Sequence, residues 1–307
     1  MKILITGSNG LLGQKLVYRL KQESGVEILA TSKGENRLND VSGYDYMTCD
    51  ITSKEQVEAV VSGFLPDCII NCAAMTNVDS CELDPEGCKT MNVDAVSYLI
   101  NAAKATNAHF IQLSTDFVFD GAAGPYREDA ETNPQSTYAK SKLESEQLVK
   151  NSGLDWTIIR TIIIYGVTDG EQRSNLVLWV KNSLQQGKQI NVITDQFRSP
   201  TLAEDLADAV VRAALDRRTG LYHVSGDEND LESIFDLAHR VADYFKLEAT
   251  LLHPITTKEL GQPAPRPPKT GFILEKARKE LNYHPRSFDE GLKIVADQLH
   301  ERAGESL

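Results

Sequence analysis

Lys2-Ile3-Leu4-Ile5-Thr6-Gly7-Ser8-Asn9-Gly10-Leu11-Leu12-Gly13 stands at the head of this 307-residue chain and decides its fold. A short apolar run that ends in three glycines, each three residues from the next, describes a strand turning at once into a helix. The glycines serve different ends. One lets the chain turn sharply, one lets a phosphate approach backbone N–H groups, and one lets the helix close on the strand. A plain structural turn competes for the glycines alone. The strand before them and the helix after them favour a pyrophosphate at the helix N-terminus. Gly7, Asn9, Gly10, Leu11, Leu12 and Gly13 are therefore the first candidate dinucleotide contacts.

The alternation continues downstream. Lys2 to Thr6, Val26 to Thr31, Tyr46 to Asp50, Asp67 to Cys72, His109 to Ser114 and Trp156 to Arg160 read as strands buried on both faces. Amphipathic segments at Leu11 to Gln22, Ser53 to Phe64, Pro85 to Thr106 and Tyr138 to Asn151 predict one helix for each crossover. The expected class is α/β, a doubly wound parallel (Rossmann) sheet with a smaller C-terminal α/β substrate lobe. Residues 1–166 form the expected dinucleotide domain and 167–307 mainly the lobe, with excursions of the chain back to the sheet left open. Helical patterns lie near Ser174 to Gln186, Leu202 to Leu215, Leu231 to Phe245, Glu275 to Leu281 and Asp289 to Ala303. Gln262 to Lys269 is Pro-rich without Gly or Ser, which predicts a fixed loop.

Composition removes several function classes. A net charge of -12 argues against a nucleic-acid partner, because neutralising phosphates needs clustered Lys and Arg. No stretch has the length or flanks of a membrane span or signal peptide, so a cytoplasmic protein without a membrane partner is expected. Aromatic residues make up only 7%, which gives no support to a polysaccharide-binding surface. Cys49, Cys68, Cys72, Cys81 and Cys88 include no Cys-x-x-Cys pair, and the six histidines are scattered. Reduced thiols and no metal site are the expectation.

After the second strand the chain offers Ser32-Lys33 and then Arg37, where an NAD-selective site would present an acid to the ribose 2'-hydroxyl. A hydroxyl and two cations suit a 2'-phosphate, so NADPH is the expected cofactor, with NADH the alternative if Lys33 and Arg37 are merely solvated charges. Asp50 and Ile51 are candidates for the adenine edge. Cys72, Ala73 and Ala74 are small residues where the cofactor backbone would cross the sheet. Further on, Ser114-Thr115-Asp116 ends the fifth strand and Tyr138-Ala139-Lys140-Ser141-Lys142 opens the next helix. Four-residue spacing puts Tyr138 and Lys142 on one helix face, where a cation is expected to lower the phenol's pKa. Thr115, Tyr138 and Lys142 are the candidate catalytic residues, Tyr138 and Lys142 also touching cofactor.

These motifs resemble the extended short-chain dehydrogenase/reductase family, and within it the dTDP-4-dehydrorhamnose reductases. The resemblance spans nearly the whole chain, through Asn71 to Asp79, Ser114 to Gly121, Tyr138 to Glu146, Arg160-Thr161, Asn175 to Val177, Asp195-Gln196, Pro200-Thr201 and Arg266-Pro267. It implies NADPH-dependent reduction of the C4 keto group of a nucleotide-activated 6-deoxy sugar, with dTDP-4-dehydro-L-rhamnose giving dTDP-L-rhamnose for cell-surface polysaccharide. Thr76, Val78 and Asp116 would border the sugar, and Asn175, Arg198 and Arg266 would face the nucleotide diphosphate. Phe117 stands where sugar-nucleotide dehydratases carry Glu, which disfavours dehydration. Ile162-Ile163 departs from the family's usual Ser-Trp and leaves the sugar open. The fold also resembles the regulatory subunit of methionine adenosyltransferase, so an NADP-binding subunit without turnover is the alternative. A homodimer is the expected assembly to test.

Overall fold

The structure, a computed structural model, describes residues 1–170 and 174–304. Its strands are β1 (Lys2–Thr6), β2 (Glu27–Ser32), β3 (Asp45–Thr48), β4 (Cys68–Asn71), β5 (His109–Thr115), β6 (Trp156–Thr161), β7 (Ile164–Tyr165), β8 (Ile190–Ile193), β9 (Phe197–Arg198), β10 (Thr201–Leu202), β11 (Gly220–His223), β12 (Glu232–Ser233) and β13 (Leu252–Ile255). Seven of these described strands form one parallel sheet in the order β11-β6-β5-β4-β1-β2-β3. The order reverses between β1 and β4, which opens a crevice at their C-terminal ends.

The helices are α1 (Leu11–Leu20), α2 (Lys54–Phe64), α3 (Val78–Leu83), α4 (Pro85–Lys89), α5 (Ala95–Thr106), α6 (Thr137–Lys150), α7 (Leu176–Gln185), α8 (Ala203–Leu215), α9 (Ile234–Tyr244), α10 (Thr257–Leu260), α11 (Glu275–Leu281) and α12 (Phe288–Ala303). Strand side chains alternate faces, and both faces of the sheet are covered. Ile3, Ile5, Ile70 and Ile111 pack with Leu16 of α1 and Leu206 and Val210 of α8. Leu4, Ile69 and Phe110 pack on the other face with Val57 and Val61 of α2 and Leu99 of α5. Each such buried side chain stabilises the fold by roughly 1.5–3 kcal/mol.

Two expectations are corrected. Residues 33–44 cross from β2 to β3 without a helix, because Gly34 (φ +89°) and Gly43 (φ +75°) bend a segment that has no helical apolar period. The single helix expected over Pro85 to Thr106 is divided into α4, a π-helical turn at Thr90–Asp94, and α5. Beyond residue 166 the chain returns to the sheet: α8 packs against α1, and β11 pairs with β6. The remaining lobe has its own apolar centre of Val177, Leu178, Leu237, Val241, Leu292 and Val295. No helix of the described residues is long and apolar enough to cross a membrane.

Candidate active site

The glycine loop occupies the crevice between β1 and β4. Gly7 adopts φ +69°, and a Cβ there would lie 2.7 Å from the Ala73 backbone nitrogen. A Cβ on Gly13 would run into Gly7 O and lie 2.6 Å from Ser8 Cα, so α1 closes on the loop only because no side chain intervenes. Gly10 caps α1 without a side-chain hydrogen bond, and the first turn holds no acid. The leading N–H groups of α1 and its positive dipole end therefore stay available to an anion. Ser8 Oγ is buried beside them without a hydrogen-bond partner. This arrangement fits a dinucleotide pyrophosphate.

Asn9 reaches from the glycine loop to the segment that follows β2. Its Nδ2 donates to Glu35 O at 2.8 Å, and its Oδ1 accepts from Arg37 N at 3.0 Å. Ser32 ends β2, and the exposed Lys33 pairs with Asp50 at 2.8 Å. The Lys33 ammonium and the Thr52 groups hold the Asp50 carboxyl below its ordinary pKa against the smaller effect of burial. Arg37 is exposed and has no ion-pair partner among the described residues. Ile51 is buried, while Cys72, Ala73 and Ala74 are half-buried where β4 opens into the crevice.

Thr115 ends β5, and Ser136 caps α6 through the Ala139 N–H, which sets Tyr138 in the helix's first turn. The Thr115 side chain lies near the Tyr138 phenol and favours its ionised form. It also donates to Asp116 Oδ1 at 3.1 Å and accepts from Phe117 N at 3.2 Å. One turn beyond Tyr138, Lys142 Nζ donates to Leu113 O at 2.6 Å. The structure thus brings the three candidate catalytic residues together.

Their electrostatics differ from expectation. Burial drives the Tyr138 phenol well above its ordinary pKa; Thr115 pulls it down, and Asp116 adds to the rise. Lys142 is not what decides its titration. Burial lowers Lys142 itself from 10.5 to about 8, with Glu146 opposing the fall. The correction is physical: spacing reveals that a cation is near, but not that both groups lose their water.

The residues expected to face the substrate divide. Thr76 is exposed and Val78 half-buried at the start of α3. Asp116 is buried: its Oδ2 accepts from Thr270 Oγ1 and faces Arg198 Nε at 3.4 Å. Arg198, 1% exposed, donates to Phe197 O, Pro268 O and Pro267 O, so it fixes the Pro-rich loop instead of standing open to a diphosphate. Arg266 forms a two-point pair with Asp79 at 3.0 and 2.8 Å. Asn175 caps α7 through Leu178 N and donates to Gly166 O. Ile163 is half-buried and adopts φ +21°, a costly conformation for a β-branched side chain.

Several supporting residues escaped the sequence reading. Thr6 Oγ1, Asn71 and Gln112 form a buried chain across β1, β4 and β5, and Gln112 Nε2 ends on Leu113 O, the carbonyl that also receives Lys142. Asn92, on the π turn, holds Met75 N, Met75 O and Ser141 Oγ, tying the Met75–Asn77 segment to α6. Glu146 accepts from Ser114 Oγ at 2.6 Å and from Arg160 at two points, both 2.8 Å. Burial raises its carboxyl, but Arg160, Ser114 and Lys150 more than reverse the effect. The Tyr-x-x-x-Lys-x-x-x-Glu spacing was the available signal for Glu146; no local signal marks the others. No group of three or more potential metal ligands occurs among the described residues.

A parallel sheet with this switch point, a glycine loop opening α1, and Thr115, Tyr138 and Lys142 at the same edge define an oxidoreductase class, the extended short-chain dehydrogenases/reductases. The family model described as RmlD substrate binding domain matches residues 1–301, and the chain belongs to that family. Among curated relatives, the spore coat polysaccharide biosynthesis protein SpsK of Bacillus subtilis (strain 168) is 32% identical, with 98% of each chain covered. Methionine adenosyltransferase 2 subunit beta of Xenopus tropicalis is also 32% identical, over 87% of this chain and 78% of its own. Among solved structures, a dTDP-4-dehydrorhamnose reductase from Clostridium acetobutylicum is 33% identical, with TM-score 0.84, covering 98% of this chain and 100% of that one. A dTDP-4-dehydrorhamnose reductase from Bacillus anthracis str. Ames, in complex with NADP, is 28% identical, with TM-score 0.82 and coverages of 97% and 99%.

Proposed function

We propose that this protein reduces the C4 keto group of a nucleotide-activated 6-deoxy sugar with NADPH as hydride donor, and that dTDP-4-dehydro-L-rhamnose is its substrate. The observation that carries the reading is the convergence of Thr115, Tyr138 and Lys142 on the sheet edge where the glycine loop opens. The reductases of Clostridium acetobutylicum and Bacillus anthracis support the substrate class, and the NADP complex of the latter supports the cofactor.

When bound, the nicotinamide supplies a hydride to the sugar carbon. Tyr138, kept protonated by burial, donates its proton to the carbonyl oxygen, and Thr115 hydrogen-bonds the same oxygen as charge develops on it. Without substrate the Thr115 hydroxyl donates to Asp116 Oδ1, so its one proton turns from that carboxylate to the carbonyl oxygen when substrate enters. Lys142 and Tyr138 would contact the nicotinamide ribose, the α1 N-terminus the pyrophosphate, and Ser32, Lys33 and Arg37 the 2'-phosphate.

The test is oxidation of NADPH with dTDP-4-dehydro-L-rhamnose, comparing wild type with Tyr138→Phe and repeating with NADH. Tyr138→Phe is expected to keep cofactor affinity and lose roughly 100- to 10,000-fold in turnover, the usual worth of a positioned proton donor. Unchanged turnover refutes the donor assignment. The kinship with methionine adenosyltransferase 2 subunit beta favours a second reading, an NADP-binding subunit without turnover. NADPH binding with no oxidation on any 4-keto sugar nucleotide would select it.

A further inference from the structure

Residues 33–37 carry the two cations that the NADPH reading needs, yet almost nothing packs against them. Lys33, Gly34, Glu35 and Arg37 are exposed, and a side chain on Gly34 would meet nothing within 4 Å. A loop so bare keeps its shape through hydrogen bonds and the Lys33–Asp50 ion pair. From the glycine-loop side Asn9 holds Glu35 O and Arg37 N. From β3, the half-buried Tyr46 hydroxyl donates to Gly34 O at 2.7 Å and sits 3.5 Å from Ser32 O. The same hydroxyl accepts from Asn9 Nδ2 at 3.4 Å, so one phenol joins β3, the loop and the glycine turn. Thr48, two residues further on the same face of β3, also donates to Gly34 O, at 3.1 Å.

Resting on the NADPH reading, we propose that Tyr46 is a specificity-positioning residue: by fixing the 33–37 loop it sets Arg37 and Lys33 where a ribose 2'-phosphate is recognised. Lys33 is already engaged with Asp50, whereas Arg37 has no carboxylate partner among the described residues, so Arg37 is the principal cation for the phosphate. Its backbone is anchored by Asn9 and its side chain lies close enough for its charge to act on Tyr46. Tyr46 need not touch the cofactor. It prepays the ordering of the loop, so its removal should weaken ligands that carry a 2'-phosphate and leave others alone.

Calorimetric binding of adenosine 2',5'-bisphosphate and of adenosine 5'-monophosphate to the whole protein isolates this effect without any turnover. Tyr46→Phe is expected to weaken the bisphosphate about three- to tenfold, the worth of one net hydrogen bond, and to leave the monophosphate within twofold of wild type. Tyr46→Phe/Thr48→Val, which strips both donors from Gly34 O, should weaken the bisphosphate further, again without moving the monophosphate. In steady state the same variants should raise the KM for NADPH while kcat and the KM for NADH hold. Equal loss for both nucleotides, or no loss in the double variant, overturns the positioning role of Tyr46. A wild-type protein that binds the bisphosphate no better than the monophosphate overturns the NADPH reading itself and the proposal with it.

Discussion

Lys142→Met exposes the thermodynamics of the site. In the protein without cofactor, burial lowers the Lys142 ammonium from 10.5 to about 8, while the Glu146 charge opposes the fall. Between those two values the unfolded chain still holds a proton that the folded chain has released, so stability rises with pH across the window and is withheld below it. At 1.36 kcal/mol per pKa unit the whole window is worth about 3 kcal/mol. Methionine keeps the apolar stem and removes the titration. It also deprives Leu113 O of one donor, a loss of roughly 1 kcal/mol because Gln112 Nε2 remains bonded there at 2.9 Å. Near pH 7, Lys142→Met should therefore be about 2 kcal/mol more stable than wild type in urea unfolding. By about pH 10 most of that advantage should vanish, because the wild type has shed its buried proton. Groups common to both proteins cancel in the difference. A stability difference that is flat between these pH values refutes the buried-ammonium account.

Gly13→Ala drives a Cβ into Gly7 O and Ser8 Cα, both backbone, so neither can swing away. It should cost about 1–3 kcal/mol of stability by thermal unfolding and weaken NADPH at least about tenfold in a fluorescence titration. Glu146→Gln leaves the buried Arg160 guanidinium without its counter-charge and should cost about 3–5 kcal/mol in urea unfolding. The same change removes a charge that supports the Lys142 ammonium, so the alkaline limb of kcat/KM for NADPH, expected near 8 in wild type, should move to lower pH.

The sheet was legible because its signal is local. Lys2–Thr6 runs into three spaced glycines, and the pattern of short apolar runs located β1 to β6 to within two residues at most ends. Tyr138 and Lys142 were equally plain, since an i, i+4 pair on a helix needs no tertiary information. What escaped depends on partners far away in sequence. Arg198 and Arg266 read as free cations until the fold brings Pro267 and Pro268 to one and Asp79 to the other, 187 residues away. The π turn at Thr90–Asp94 has no composition signal, and its role follows from Asn92 meeting Met75 and Ser141. The titration of Tyr138 was misread for a related reason: spacing counts neighbours and is blind to the water that folding removes.

That misreading bears on the direction of the chemistry. Oxidation of an alcohol calls for a phenolate to take the proton, whereas reduction of a ketone calls for a phenol that still has one. Burial keeps Tyr138 loaded at neutral pH, which suits reduction. A donor held too far above ambient pH would part with its proton reluctantly, so the surroundings must favour phenolate as the carbonyl oxygen gains charge. Thr115 already opposes part of the rise that burial imposes on Tyr138. Lys142, with a pKa of about 8, is still charged at neutral pH and sits one turn away on α6. Raising the pH through 8 discharges Lys142 while Tyr138 remains protonated, so an alkaline loss of activity in that range belongs to the lysine and not to the tyrosine. Glu146 then serves twice through one carboxylate: it pins α6 to β5 and β6 through Ser114 and Arg160, and it delays the pH at which Lys142 loses its charge.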